Sequence, residues 1–267
     1  MIEKIGGYRM DLERHDVLDR LTIPGDVLSK LCGVADIPDT LDLREKIPVR
    51  NQQSEGACNG FGKRAVDYLN HLLATGGEPQ EFSGDGNYYV IQAIDGIRGD
   101  NGSTVSGGVT MAHQVGALRI EDFPETGNYD PGRLPRNYKD LAAPFKCAKT
   151  AIIQSDHVNR VKQWLGLGYG GVWWGKAWGF RFDGRGNATA WSASGGGHAT
   201  AILGYDARGF HCLNSWGKAW QGTGWYYVPY DLFEKVCRHQ WTVVAATSDM
   251  SEIKPRKIDW VKDSINA

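Results

Sequence analysis

The sequence predicts an α+β fold of two lobes, a helical lobe over about residues 58–125 and an antiparallel β-rich lobe over about 150–247. Three observations carry this. After Cys58, apolar residues recur at helical spacing at Phe61, Ala65, Leu69 and Leu72. In the second half, short apolar runs alternate with glycine turns. The 35 glycines and 10 tryptophans suit a loop-rich chain with tight backbone turns.

The elements follow in order. Residues 1–40 read as a peripheral extension, with one helical stripe at Val17, Leu18 and Leu21 and another at Val27, Leu28 and Leu31. Gly25 and Gly33 break them. From Leu41 the chain reads as extended through Val49, and a turn-rich loop leads to Cys58. The helix after Cys58 stops at Gly76-Gly77. A second helical run spans 83–98, with Tyr88, Tyr89, Ile91 and Ile94, and a third runs from Val109 to Leu118. Val161 to Leu165 ends a further helix. Strands are expected at Val172–Trp174, Ala199–Tyr205, Phe210–Asn214, Trp225–Val228 and Trp241–Ala246. The tail 248–267 is polar with a few apolar residues. The domain reading is therefore an extension over 1–40, a main domain over 41–247 and a tail.

Composition excludes several classes. The 267 residues are 41% hydrophobic, enough for a core, and 30 basic residues face 31 acidic ones for a net charge of −1. That balance gives no electrostatic case for nucleic acid or an acidic membrane. No apolar stretch approaches the roughly 18 residues of a membrane span, and the polar N-terminus lacks a secretory core. Five scattered cysteines, Cys32, Cys58, Cys147, Cys212 and Cys237, form no C-x-x-C pair. Reduced thiols and a cytoplasmic compartment are expected.

Three distant segments carry chemistry. Cys58 opens a helix, where the dipole and free N–H groups favour a thiolate. Alone it reads as easily as a buried structural thiol. His198 follows Gly195-Gly196-Gly197 and opens an apolar strand, so it can point into a cleft as a general base and acid. An antiparallel return at Asp206 to Gly209 would bring Asn214 beside His198, where its side-chain oxygen could hold the imidazole tautomer. Trp216 and Trp220 could shield that bond, although both also suit ordinary core packing. Gln52, with Gln53 as its competitor, could donate to an oxyanion together with the Cys58 N–H.

These segments resemble those of the papain-like cysteine peptidases. Residues 41–58, L-D-L-R-E-K-I-P-V-R-N-Q-Q-S-E-G-A-C, look like the family's D-W-R…P-V-K-N-Q-G-S-C-G-S-C. The match is gapless from Pro48 to Cys58 and selects Gln52 over Gln53. Residues 197–206, G-H-A-T-A-I-L-G-Y-D, resemble the histidine strand, and 214–226, N-S-W-G-K-A-W-Q-G-T-G-W-Y, resemble N-S-W-G…W-G…G-Y. Residues 116–127, G-A-L-R-I-E-D-F-P-E-T-G, resemble the family's G-I…Y-P-Y-x-G. Ser106-Gly107-Gly108 resembles the N-G-G that lines the substrate groove, which implies substrate-binding roles for Gly107 and Gly108. The wide Cys58-to-His198 separation also fits the family. The resemblance implies a cysteine-dependent hydrolase of peptide bonds, with catalytic Cys58, His198, Asn214 and Gln52 in a cleft between the lobes.

The departures are specific. Asn59 stands where the family has Trp, and Glu55 where it has a disulfide cysteine. Gly60 and Gly62 should each weaken the helix start by about 1 kcal/mol relative to alanine, which close packing between lobes would explain. Only about 40 residues precede Leu41, too few for the family's long inhibitory pro-segment. Residues 1–40 are expected to wrap the back of the domain rather than occlude the cleft; 248–267 could block it.

Other motifs carry nothing. Gly166 to Gly171 satisfies G-x-G-x-x-G, but the order is helix then strand, the reverse of a dinucleotide site. The sequons at Asn101 and Asn187 lack a secretory context. His211 and Cys212 face opposite sides of a strand. No metal-ligand spacing appears, and no cofactor is expected. The expected partner is a peptide or protein substrate. Two alternatives stand beside hydrolysis: a catalytically silent binding scaffold, and a transpeptidase using the same acyl-enzyme.

Overall fold

The computed structural model describes residues 6–23, 36–77, 79–147, 149–239 and 242–247. The stripe at Val27 to Leu31, Cys32 and the 248–267 tail lie outside these. The fold is α+β, as the sequence predicts. Seven α-helices are described: α1 (His15–Leu21), α2 (Cys58–Thr75), α3 (Gly84–Asp95), α4 (Val105–Gln114), α5 (Tyr138–Ala142), α6 (His157–Gly166) and α7 (Tyr230–His239).

The helical lobe is set by local chemistry. Gly76 adopts the left-handed conformation, φ 71°, and its N–H closes α2 on the Leu72 carbonyl. Ser83 caps α3 by accepting from the Gly86 N–H at 2.9 Å. Thr104 caps α4 by accepting from the Gly107 N–H at 2.9 Å. That cap starts the third helix a turn earlier than the expected Val109. Gly116, at φ 102°, then turns the chain away, so Leu118 is extended and its carbonyl accepts from Ser83 N–H at 2.8 Å.

The second lobe is a seven-stranded sheet. Its strands are β1 (Thr22–Ile23), β2 (Lys149–Ile152), β3 (Val172–Ala177), β6 (Gly197–Tyr205), β7 (Gly209–Leu213), β8 (Trp225–Pro229) and β9 (Thr242–Thr247). They lie in the order β1-β2-β9-β3-β6-β7-β8, antiparallel except for the β1–β2 pair. A separate hairpin joins β4 (Phe180–Phe182) to β5 (Ala188–Trp191).

Two expectations need correction. Leu41–Val49 is not a strand: Leu41 makes a single bridge to Tyr205, and the chain then turns, with the Lys46 N–H on the Leu43 carbonyl. Residues 6–23 are not peripheral, since Tyr8, Val17 and Leu18 are buried and α1 packs on α4.

The lobes meet at Trp173, which is buried. A Cβ on Gly62 of α2 would lie 3.2 Å from its ring, and one on Gly108 of α4 only 1.8 Å away. Within the helical lobe, a Cβ on Gly60 would lie 2.4 Å from the Gly84 carbonyl oxygen. Close packing thus accounts for both glycines in the first turns of α2. Gly108→Ala tests the seam. Helix propensity alone would stabilise the variant by about 1 kcal/mol, whereas overpacking against Trp173 costs about 1–3 kcal/mol. The expected outcome is a net loss of stability in urea unfolding; a net gain would mean the indole yields freely.

Candidate active site

The loop before α2 is held by polar contacts along its whole length. The Gln52 N–H donates to the Ser215 carbonyl at 2.8 Å, and the Ser215 hydroxyl donates to Gln52 Oε1. Gln52 Nε2 donates to the Glu55 carbonyl at 2.7 Å. The Gly56 N–H donates to Asp100 Oδ1 at 2.7 Å, and the Tyr88 hydroxyl reaches the same oxygen at 2.9 Å. Asn59 ties the helix start to the facing loop, with Nδ2 donating to the Thr104 carbonyl at 2.6 Å and to Ser103 Oγ at 3.1 Å. Cys58 itself is fully buried with a free thiol.

His198 opens β6, and the β6–β7 hairpin returns the chain to Asn214. His198 Nε2 lies 2.8 Å from Asn214 Oδ1. That oxygen also accepts from the Ser215 N–H at 2.9 Å, which fixes the amide orientation. An accepting oxygen requires Nε2 to carry the proton, so Nδ1 is left with a lone pair. Nδ1 is buried without a hydrogen-bond partner. The Cys58 sulfur sits beside the Ala199 N–H, one residue on from His198. The imidazole is clamped by Trp178 at 4.6 Å and Trp216 at 4.8 Å between ring centroids. Trp220 packs behind Trp216 at 5.3 Å. Trp178 follows β3, and sequence reasoning had no motif to mark it.

Burial governs the electrostatics. It pushes the Cys58 thiol up to about 11, against the Ala199, Asn59 and Cys58 N–H groups, which favour the thiolate. It pulls His198 down to about 3, helped by the charge of Lys176 and opposed by Asn214. Both groups therefore rest neutral, as thiol and imidazole.

The source of that burial is the N-terminal segment, which lies in the cleft rather than behind the domain. Gly6 and Tyr8 N–H groups both donate to the Gly197 carbonyl, at 3.0 and 3.2 Å. On the other wall, the Ser103 N–H donates to the Gly7 carbonyl at 2.9 Å and Arg9 N–H to the Ser103 carbonyl at 3.0 Å, a parallel bridge. A Cβ on Gly7 would lie 3.0 Å from Cys58 Sγ and 2.3 Å from the Gly56 carbonyl oxygen, so only glycine fits there. The Tyr8 ring fills a slot over Gly175, whose added Cβ would lie 2.7 Å from it. Glu13 then latches the segment by accepting from the Val105 and Ser106 N–H groups at 3.0 and 2.6 Å, at the positive end of α4.

A buried cysteine at a helix start and an asparagine-held histidine on the facing sheet place the chain among known architectures. Xylellain, a cysteine protease from Xylella fastidiosa, superposes with a TM-score of 0.72 over 93% of this chain and 98% of its own, at 19% identity. The fold is papain-like. The ragweed pollen cysteine protease Amb a 11, in its proform, gives 0.65 over 88% of this chain and 74% of its own, at 18% identity. Procathepsin B from Trypanosoma congolense gives 0.66 over 92% and 87%, at 13% identity. No family model matches the sequence, and no curated protein matches it.

Within this papain-like frame, His198 is bonded to Asn214, Gln52 is bonded to the adjoining Ser215, and the Cys58 sulfur lies beside the Ala199 N–H that follows His198. Gly107 and Gly108 do not reach the cleft: they lie inside α4, where added Cβ atoms would strike the Asp95 carboxylate and the Trp173 ring. The residue that lines the groove wall is Ser103, in Asn101-Gly102-Ser103, which a closer reading of the N-G pair could have found. Among the described residues no group of acidic, histidine or cysteine side chains could hold a metal, and no helix is long and apolar enough to cross a membrane.

Glu55, in place of a disulfide cysteine, is buried and meets the Tyr89 hydroxyl at 3.2 Å. Burial pushes its carboxyl up to about 8 from an ordinary 4.5, with Asp85 adding to the rise. A carboxyl with a raised folded pKa holds its proton more tightly when folded. Its contribution is therefore complete at acid pH and is lost as pH rises toward 8. Wild-type stability should fall between pH 5 and 8 relative to Glu55→Gln, measured by chemical unfolding across that range. Parallel curves would mean that Glu55 is ionised throughout.

Proposed function

We propose that the protein hydrolyses peptide or related amide bonds through a thioester on Cys58. The observation that carries this reading is the state of His198, with Nε2 committed to Asn214 and Nδ1 buried and unpartnered, while the Cys58 sulfur lies beside the N–H of the next residue, Ala199. Nδ1 takes the thiol proton, and the thiolate attacks the amide carbonyl carbon. The Cys58 N–H and the second Nε2 proton of Gln52 hold the oxyanion. Imidazolium returns the proton to the leaving amine, and water then attacks the thioester with His198 as base.

The cleft must first be cleared. Gly7 is not itself a substrate, because its carbonyl oxygen is committed to the Ser103 N–H rather than to the oxyanion donors. While the segment is in place, the pair is dry and neutral. Its departure readmits water, which lowers the penalty on thiolate and imidazolium together. The slot vacated by Tyr8, floored by Gly175, has the shape for an aromatic substrate side chain.

One observation favours a second reading, a catalytically silent scaffold: the thiol is covered. Gly7→Leu separates the two. Leucine cannot fit against the Gly56 carbonyl, so the segment is displaced. On the hydrolytic reading, cleavage of fluorogenic peptides with Phe or Tyr in the slot position should rise at least tenfold over wild type, and Cys58→Ala in the same background should show none. No turnover in Gly7→Leu, with Cys58 freely alkylated, would favour the scaffold.

A further inference from the structure

Lys176 lies at the back of the cleft in β3, directly across the sheet from His198. It is fully buried. Its Nζ donates to Thr200 Oγ1 at 2.6 Å and to the Trp174 carbonyl at 3.3 Å. Three aromatic faces surround it: Trp174 at 4.5 Å, Trp178 at 5.2 Å and Tyr226 at 5.9 Å from ring centroid to Nζ. Among the described residues it forms no ion pair with a carboxylate. A buried ammonium without a counter-charge is costly, and cation–π contacts offset only part of that cost. A leucine or methionine would fill the space without this penalty.

The titratable groups that face Lys176 are the active-site pair and a few thiols and a phenol. They are Cys58 from α2, His198 from β6, Cys212 from β7, Tyr226 from β8 and Cys237 from α7. Trp178 touches both the ammonium and the His198 ring, so the charge and the imidazole share one wall. Thr200 Oγ1 lies 2.8 Å from the Tyr226 hydroxyl, which extends the polar path toward Cys212. Every group that could carry negative charge near Lys176 is a thiol or a phenol, and Cys58 alone among them belongs to the site.

We propose that Lys176 is a positioning residue whose buried ammonium supplies positive charge behind the cleft, favouring the Cys58 thiolate and making the His198 imidazolium more acidic. The inference rests on Cys58 and His198 acting as a pair. Both proton losses of that pair raise the negative charge beside the ammonium, so both move to lower pH. Burial pulls Lys176 itself down to about 7, so its charge is present on the acid side, where the thiolate must first form. Lys176 touches no substrate atom and transfers no proton.

The test is the pH profile of Cys58 alkylation by iodoacetamide in the full chain carrying Gly7→Leu, which uncovers the thiol, alone and with Lys176→Met or Lys176→Arg. With Lys176 intact, the acid limb should lie well below the ordinary thiol value of about 8.5. With Lys176→Met that limb should move up by about one pH unit, a roughly tenfold loss of rate at pH 5. Lys176→Arg, which keeps the charge, should lie closer to the chain with Lys176. A merely structural role would change the rate without moving the limb. A Lys176→Met limb superposed on that of the chain with Lys176 would overturn the inference and leave the catalytic pair standing. An ordinary thiol profile with Lys176 intact would overturn both. If the Lys176 variants fail to fold, the Gly7→Leu chain with 13C-labelled lysine decides. By reciprocity, converting Cys58 to its neutral thioether should lower the pH at which Lys176 titrates. An unchanged titration would refute the coupling.

Discussion

The site depends on how closely α2 approaches the sheet. Cys58 and His198 belong to different lobes, so their encounter is set by the seam and not by either lobe alone. Trp173 is the largest object in that seam, and Gly62 and Gly108 give it room where any side chain would push the lobes apart. Gly60 does the same one layer deeper, against α3. Three glycines in helices lower local propensity by about 1 kcal/mol each. The return is an α2 N-terminus seated against β6, with its N–H groups at the sulfur.

The same closeness makes the cleft dry, and dryness decides the charge state. With Gly6 to Arg9 in place, neither the thiolate nor the imidazolium is solvated, and both groups rest neutral. Occlusion therefore acts twice, by filling the groove and by disfavouring charge on the Cys58 thiol. A glycine at position 7 is what allows both, since the backbone can lie flat over Cys58. The latch is electrostatic: Glu13 on the α4 N-terminus completes two orphan donors at a positive helix end. A carboxylate there is screened by salt, so the segment's hold is weaker than its two hydrogen bonds imply.

What was legible in the sequence, and what was not, divides by range. The strand and helix positions around Cys58, His198 and Asn214 were readable because each is encoded within a few residues: a glycine turn, an apolar run, a helix stop. Apolar spacing points to Val109 as the start of α4, whereas the Thr104 cap starts the helix at Val105. Gly107 and Gly108 are expected in the groove only because Ser106-Gly107-Gly108 resembles N-G-G, whereas in the fold they make room for Asp95 and Trp173. The N-terminal segment was placed behind the domain because nothing in Gly6-Gly7-Tyr8 announces a partner. Its contacts, with Gly197 and Ser103, lie far along the chain, and only the assembled cleft brings those two walls together.

The loop carrying the nucleophile makes the last point. Where a disulfide would pin such a loop covalently, here Asp100 takes the Gly56 N–H and the Tyr88 hydroxyl, and Asn59 reaches the Thr104 carbonyl. Glu55 lies beneath, beside Tyr89, its carboxyl pushed up by burial. Each bond is individually modest, about 1 kcal/mol net, but they lie in or at the edge of the interior and two of them share Asp100, so they act as a unit. The same Ser103–Thr104 turn that holds Asn59 also forms the groove wall and caps α4. A cysteine fixed in this way is tied to the groove wall, so rigidity of the loop and geometry of the groove are one constraint. This also explains why Asn59 suits its position better than a large aromatic: only a short amide can bridge from the helix start to a facing backbone carbonyl 2.6 Å away.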